Sequence, residues 1–226
     1  METGGVPDWL LDAPLYRNRL DGGRQLVQVL PEELDSRIVV VGLACGGVEV
    51  ASEVAAARGA SLDVLAVRKV RHPYQPEHAL GAVTPGDQGA YLRSSDGTTD
   101  VQIAAATADA RREAHELDRR LHEHHRPIDC TGRIVLLVDD GLATGATMIA
   151  AARWARSAGA TRVAAAVPIA ARQSVEDVLR ELDLFYCRTC GRTSTPSGSG
   201  TRTSRPSPTR TCSLSSTPRM RECARQ

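Results

Sequence analysis

Residues 134–147 read Ile-Val-Leu-Leu-Val-Asp-Asp-Gly-Leu-Ala-Thr-Gly-Ala-Thr. The opening run, Ile134–Val138, is short, apolar and rich in β-branched residues, as a strand buried on both faces must be. Asp139 and Asp140 follow at its carboxyl end, the edge of an open α/β sheet where ligands bind. Gly141, Gly145 and Ala146 leave the backbone uncovered, so that its N–H groups can converge on an anion. Thr144 and Thr147 add hydroxyl donors, and the residues after Gly145 continue as a helix whose positive end meets the same spot. Each such contact to an anion is worth roughly 1–3 kcal/mol, and several together hold a phosphate. Two acids beside a phosphate cradle suit a ligand that also carries hydroxyls or a divalent metal. A Walker loop is excluded, because no lysine follows the glycines.

The flanking sequence repeats this alternation. Residues 37–43 are a buried strand, Gly46 and Gly47 open a helix to about Arg58, and residues 62–67 form the next strand. Strand, glycine turn, helix and strand within about thirty residues make a βαβ unit. Residues 20–30 read as an amphipathic helix, and residues 107–124 as a long charged one. Residues 70–100 are a Gly/Pro/His/Ser-rich connection with short β-like pieces at 79–83 and 89–92, a length typical of lids. Beyond the central motif lie a strand over 162–167, a short helix opened by Ser174 with Asp177 as a capping box, and a last strand at 184–186. The fold class expected is α/β, a mostly parallel sheet flanked by helices.

Composition sets the remaining limits. The chain has 226 residues and a formal net charge of +1, which conceals a split. Residues 191–226 hold seven arginines and one glutamate, leaving 21 basic and 26 acidic groups before them. Ser, Thr, Pro and Gly dominate that terminal stretch, so the expected organisation is one domain over 1–187 and a disordered low-complexity tail over 188–226. No run approaches about 18 apolar residues and no signal pattern opens the chain, which leads us to expect a cytoplasmic protein with no membrane partner. Lys69 is the sole lysine, a bias of composition and not a nucleic-acid signature, so nucleic acid is not an expected partner. The six cysteines form no disulfide scaffold. Cys187 and Cys190 are half a zinc knuckle without a second half. His122, His124 and His125, with Glu123, stand at a helix end, where the macrodipole alone favours histidine.

The motif at 135–147, four apolar residues, two acids and Gly-x-x-Thr-Gly-x-Thr, resembles the PRPP-binding motif of type I phosphoribosyltransferases. The resemblance covers roughly residues 15–185 and extends to the blocks Leu43-Ala44-Cys45-Gly46-Gly47-Val48, Val67-Arg68-Lys69 and Glu77-His78-Ala79-Leu80-Gly81-Ala82, in the order of a bacterial group of that family. It implies transfer of the 5-phosphoribosyl group of PRPP to a nitrogenous small-molecule acceptor, with pyrophosphate leaving and Mg²⁺ as cofactor. It also implies that Asp139 and Asp140 hold the ribose hydroxyls and, through water, the metal, with Lys69 beside them in catalysis. By the same resemblance Gly141, Leu142, Ala143, Thr144, Gly145, Ala146 and Thr147 hold the 5′-phosphate. The resemblance further implies that Cys45, Gly46, Gly47, Arg68 and Lys69 hold pyrophosphate, with Arg68 and Lys69 expected at the end of the second strand. Dimers are common among similar proteins, so the resemblance leaves a homodimer open, although no interface is legible in the sequence itself. Two departures leave a second reading open, a non-catalytic PRPP- or nucleotide-binding regulatory protein: Cys45 replaces an arginine of the group, and the usual aromatic C-terminal segment gives way to low complexity near Arg188. Ala143 stands where enzymes acting on hypoxanthine and guanine carry a proton-accepting aspartate, which disfavours that substrate class.

Overall fold

The computed structural model describes residues 16–34, 37–75, 77–86, 88–92 and 97–191, and the backbone of 212–215. The first helix among the described residues is α1 (Arg19–Val27), capped by the Asn18 side chain on the Asp21 N–H. Then come β1 (Ile38–Leu43), α2 (Gly46–Arg58) and β2 (Ser61–Leu65). A small unit follows, made of β3 (Arg68–Arg71), β4 (Ala79–Val83) and β5 (Ala90–Leu92), backed by the long α3 (Asp100–Leu121). The second half runs β6 (Ile134–Val138), α4 (Ala146–Ser157), β7 (Arg162–Ala171), α5 (Arg172–Leu179) and β8 (Leu184–Gly191), with β9 (Cys212–Ser215) last.

The main sheet has the order β2-β1-β6-β7-β8-β9. All its pairs are parallel except β8 with β9, in agreement with the expected α/β class. Residue alternation sends Val39, Val41, Leu43, Val135 and Leu137 to the face covered by α4. Val40, Leu136 and Val138 go to the face covered by α1 and α2, through Leu26, Val50 and Val54. Both faces are therefore buried, which is why β1 and β6 are uninterrupted apolar runs. The chain leaves β1 toward β2 on one side and leaves β6 toward β7 on the other. The carboxyl ends of β1 and β6 thus flank the point where strand order reverses, the crevice in which such sheets bind ligands.

Several elements depart from the sequence expectation. Arg68 and Lys69 do not end the second strand; β2 stops at Leu65, and these residues start β3 in a separate antiparallel sheet. The buried Ala66 and Val67 between them hide the break, because an apolar link looks like more strand. Helix α3 begins seven residues earlier than expected, where Thr99 and Gln102 make a capping box. Ser174 does not open α5: Ala171 is the N-cap, and Ser174 lies inside the first turn. Strand β7 continues to Ala171 through Pro168, and its pairing with β8 passes from Val167 to Ile169 around the residue that has no N–H. Strand β8 extends past residue 187 to Gly191, and Cys212–Ser215 pairs with its first half. The rest of the expected tail lies outside the described residues.

Candidate functional site at the sheet switch point

Two glycine turns meet above β1 and β6. A Cβ on Gly47 would overlap the Val138 carbonyl oxygen and stand 2.8 Å from the Asp139 Cα. On Gly46 it would fall on Asp140 Oδ2. The turn at residues 44–47 therefore lies directly against the two acids, as only glycine permits. The Ala44–Cys45 peptide is cis, and the Ala44 N–H donates to the Leu65 carbonyl at 3.0 Å. Cys45 is the N-cap of α2, and its thiol is exposed and free.

Asp139 and Asp140 are both partly buried. Asp139 Oδ1 accepts the Asp140 N–H at 2.9 Å, and no other hydrogen bond reaches this carboxylate among the described residues. Burial, followed by the charge of Asp140, pushes its carboxyl up to about 7, while the positive charge of Lys69 pulls the other way. Lys69 is exposed on β3. Arg68, the next residue on an alternating strand, is instead drawn to Glu113 of α3, with 3.8 Å between Nε and Oε2. The two basic residues expected to act together are thus divided between the acids and α3.

Asp140 has partners that sequence reading missed. Arg19 Nε donates to its Oδ2 at 3.0 Å, and Arg19 Nη1 reaches Glu49 Oε1 at 3.4 Å. The Tyr16 hydroxyl donates to the Asp140 carbonyl at 3.0 Å, and burial together with the Asp140 charge raises the phenol. These contacts span 121 and 124 residues of sequence, so no local pattern announces them.

The loop after Asp140 is fixed at two points. The Leu142 N–H donates to the Ile169 carbonyl at 2.9 Å, and its carbonyl accepts the Ala171 N–H at 2.7 Å. The Ser174 hydroxyl donates to the Ala143 carbonyl at 2.5 Å. Ala143 and Thr144 remain exposed between these anchors. Gly145 turns the chain into α4 with φ +79°, and no side chain among the described residues caps that helix. The first N–H groups of α4 are thus left for a ligand or water.

The cradle, the acid pair and the second glycine turn stand at adjacent strand ends, and comparison with known proteins gives this arrangement a lineage. The model for the phosphoribosyl transferase domain matches residues 16–186. The chain belongs to the phosphoribosyl transferase family. Two Mycobacterium tuberculosis proteins, from strains CDC 1551 and H37Rv, each bear the name "Putative phosphoribosyl transferase" and are 46% identical over 160 residues. That alignment takes in 69% of this chain but 36% of the relatives, so the chain spans about a third of their length. The crystal structure of TT1426 from Thermus thermophilus superposes with a TM-score of 0.64 at 34% identity, covering 80% of this chain and 86% of that one. Among the described residues of this phosphoribosyl transferase domain, no helix is long and apolar enough to cross a membrane.

Gly46 offers a direct probe of the site. Gly46→Ala forces Asp140 or Arg19 to move, yet the position borders solvent, so the displaced groups have room. On the PRPP-binding reading proposed below, PRPP–Mg²⁺ affinity is expected to fall more than about tenfold, or 1.4 kcal/mol. The melting temperature should move by no more than roughly 4 °C. Calorimetry and a thermal scan read the two effects separately.

Proposed function

We propose that this domain binds PRPP in the crevice between β1 and β6 and transfers its phosphoribosyl group to a nitrogenous acceptor, releasing pyrophosphate. The observation that carries the reading is the contact between the two turns: a side chain on Gly46 would occupy the space of Asp140. An anion-binding turn and a pair of acids are thereby placed against one another. In this reading the backbone N–H groups around Ala143, Thr144, Gly145, Ala146 and Thr147, with the two threonine hydroxyls, hold the 5′-phosphate. Asp139 and Asp140 accept from the ribose hydroxyls, while Gly46, Gly47 and Lys69 receive the pyrophosphate.

Asp139 and Asp140 offer hard oxygen donors, and Asp139 has one oxygen without a partner among the described residues, a donor set suited to Mg²⁺ held through water. Bound there, Mg²⁺ would neutralise charge on the departing pyrophosphate. The chain's own contribution is placement. The phosphate cradle and the acids fix both ends of the sugar, which keeps its C1′ facing the entering nitrogen. Lys69 and the α2 N-terminus stabilise the negative charge that develops on the leaving group.

A second reading, a PRPP-binding protein with little turnover, draws on two specific observations. Cys45 brings no charge to the pyrophosphate turn, and Arg68 is engaged by Glu113. Pyrophosphate release from PRPP and Mg²⁺, assayed across a panel of nitrogenous bases, separates the two. Tight binding with no release for any acceptor would favour the second. In either case Asp140→Asn removes the carboxylate that engages Arg19, and PRPP–Mg²⁺ affinity should drop at least about tenfold. An unchanged dissociation constant would contradict the role given to Asp140.

A further inference from the structure

A second group of metal-type ligands lies away from the acid pair. Asp63 sits in the middle of the edge strand β2 and is 4% exposed. Its carboxylate is oriented by the backbone: Oδ1 accepts the Val64 N–H at 2.8 Å, and Oδ2 accepts the Ile128 N–H at 2.7 Å. His122, the C-cap of α3, brings Nε2 to 3.2 Å from Asp63 Oδ1, and His125 brings its own Nε2 to 4.0 Å from the same oxygen. The three ligand atoms all lie within 4.8 Å of one another.

We propose that Asp63, His122 and His125 form a site for a divalent transition ion of the Zn²⁺ type, clipping the α3–β6 connection to the edge strand. The spacing suits such an ion. Tetrahedral ligands about 2.0–2.1 Å from zinc are roughly 3.3–3.5 Å apart. The Asp63–His122 separation is already near that value. His125, whose side chain is 53% exposed, has the freedom to close the remaining gap. Its open side leaves a fourth position to water. Two imidazoles with one carboxylate select zinc, cobalt or nickel over Mg²⁺.

The surrounding contacts match those of a metal-bound histidine. His122 Nδ1 lies 3.1 Å from the Asp118 carbonyl and 3.2 Å from its Oδ1, so that Asp118 fixes the tautomer that presents Nε2 to a metal. A hydrogen-bonded histidine between two aspartates explains His122 alone. It gives no reason for His125 to hold its Nε2 toward the same Asp63 oxygen, with ring centroids 5.1 Å apart. The location also separates this group from the PRPP crevice: Asp63 pairs in register with Val41, on the side of β1 opposite β6.

The test uses the full chain, treated with EDTA and then titrated with ZnCl₂, CoCl₂ or MgCl₂. We expect Zn²⁺ to raise the melting temperature by at least roughly 3 °C, Mg²⁺ to leave it unchanged, and Co²⁺ to develop visible absorption. His125→Ala, at a half-exposed position, should keep the metal-free melting temperature within about 2 °C and bind Zn²⁺ at least tenfold more weakly. The double variant Asp139→Asn/Asp140→Asn should keep the full zinc response. The proposal falls if Zn²⁺ has no effect on the parent chain. It also falls if His125→Ala responds like the parent, or if the double variant loses the response.

Discussion

Asp139→Asn should make the ligand-free protein more stable at pH 8 while reducing PRPP–Mg²⁺ affinity by at least about tenfold. The two effects share one cause. Burial and the neighbouring Asp140 raise the Asp139 carboxyl to about 7, whereas an unfolded aspartate titrates near 3.8. Between those values the folded chain binds more protons than the unfolded one. Stability therefore declines as pH rises from about 4 to about 7, and the loss is complete above that. The penalty is on the order of 2–4 kcal/mol at pH 8.

Asparagine removes this penalty and keeps an oxygen to accept the Asp140 N–H. The expected gain in melting temperature at pH 8 is roughly 4–16 °C, shrinking toward zero as pH approaches 4. Thermal scans of both proteins across that range test it. A variant no more stable than its parent at pH 8 would show that Asp139 is not an uncompensated charge. In the proposed function the native residue would lower ligand-free stability in favour of a negative group ready for ribose hydroxyls or a cation, a conflict typical of binding sites.

What could be read from the sequence and what could not follows from how local each signal is. The run Ile134–Val138, its two acids and the glycine-threonine loop are contiguous, so strand, turn and helix start are read together; the structure places them at the reversal point of strand order. The Gly46-Gly47 turn at the start of a helix is equally local, and the structure opens α2 there. The turn's contact with Asp140 is not local, because it depends on β1 and β6 being neighbours. The apolar run through Ala66 and Val67, both as buried as strand residues, puts Arg68 and Lys69 on the second strand in sequence, whereas they open β3. Tyr16 and Arg19 join the site only through tertiary packing of α1. Ser174 has the sequence context of a helix cap but serves the loop one strand away, donating to Ala143. The histidines at the end of α3 were visible as a cluster. Asp63, an acid inside an edge strand, was invisible as their companion until β2 and α3 were brought together.

Gly145→Ala should be among the most damaging single-methyl additions to this chain, for two separable reasons. Gly145 adopts φ +79°, which costs an L-residue with a Cβ roughly 1–2 kcal/mol. The added methyl would also stand 2.7 Å from Val178 Cγ2 of α5, an overlap that forces repacking worth about 1–3 kcal/mol. Val178 is fully buried, so the strain is relieved chiefly by moving α5. That helix carries Ser174, whose hydroxyl holds the Ala143 carbonyl. The loop would therefore lose its shape along with its stability.

A melting temperature lower by roughly 5–15 °C is expected, with loss of measurable PRPP binding. Adding Val178→Ala removes the overlap but not the dihedral cost, and the single variant Val178→Ala measures the cost of the cavity it opens in the core. Measured against Val178→Ala alone, the double variant Gly145→Ala/Val178→Ala should show about half of the loss that Gly145→Ala causes in the parent, and PRPP affinity should return in step with that difference. If Val178→Ala restores nothing, the dihedral alone sets the need for glycine and α5 does not support the loop. If it restores stability without PRPP affinity, the φ of Gly145 is what aims the first N–H groups of α4 at the phosphate. Thermal scans and calorimetry on the three variants separate these cases, because the overlap acts through α5 whereas the dihedral acts on the cradle itself.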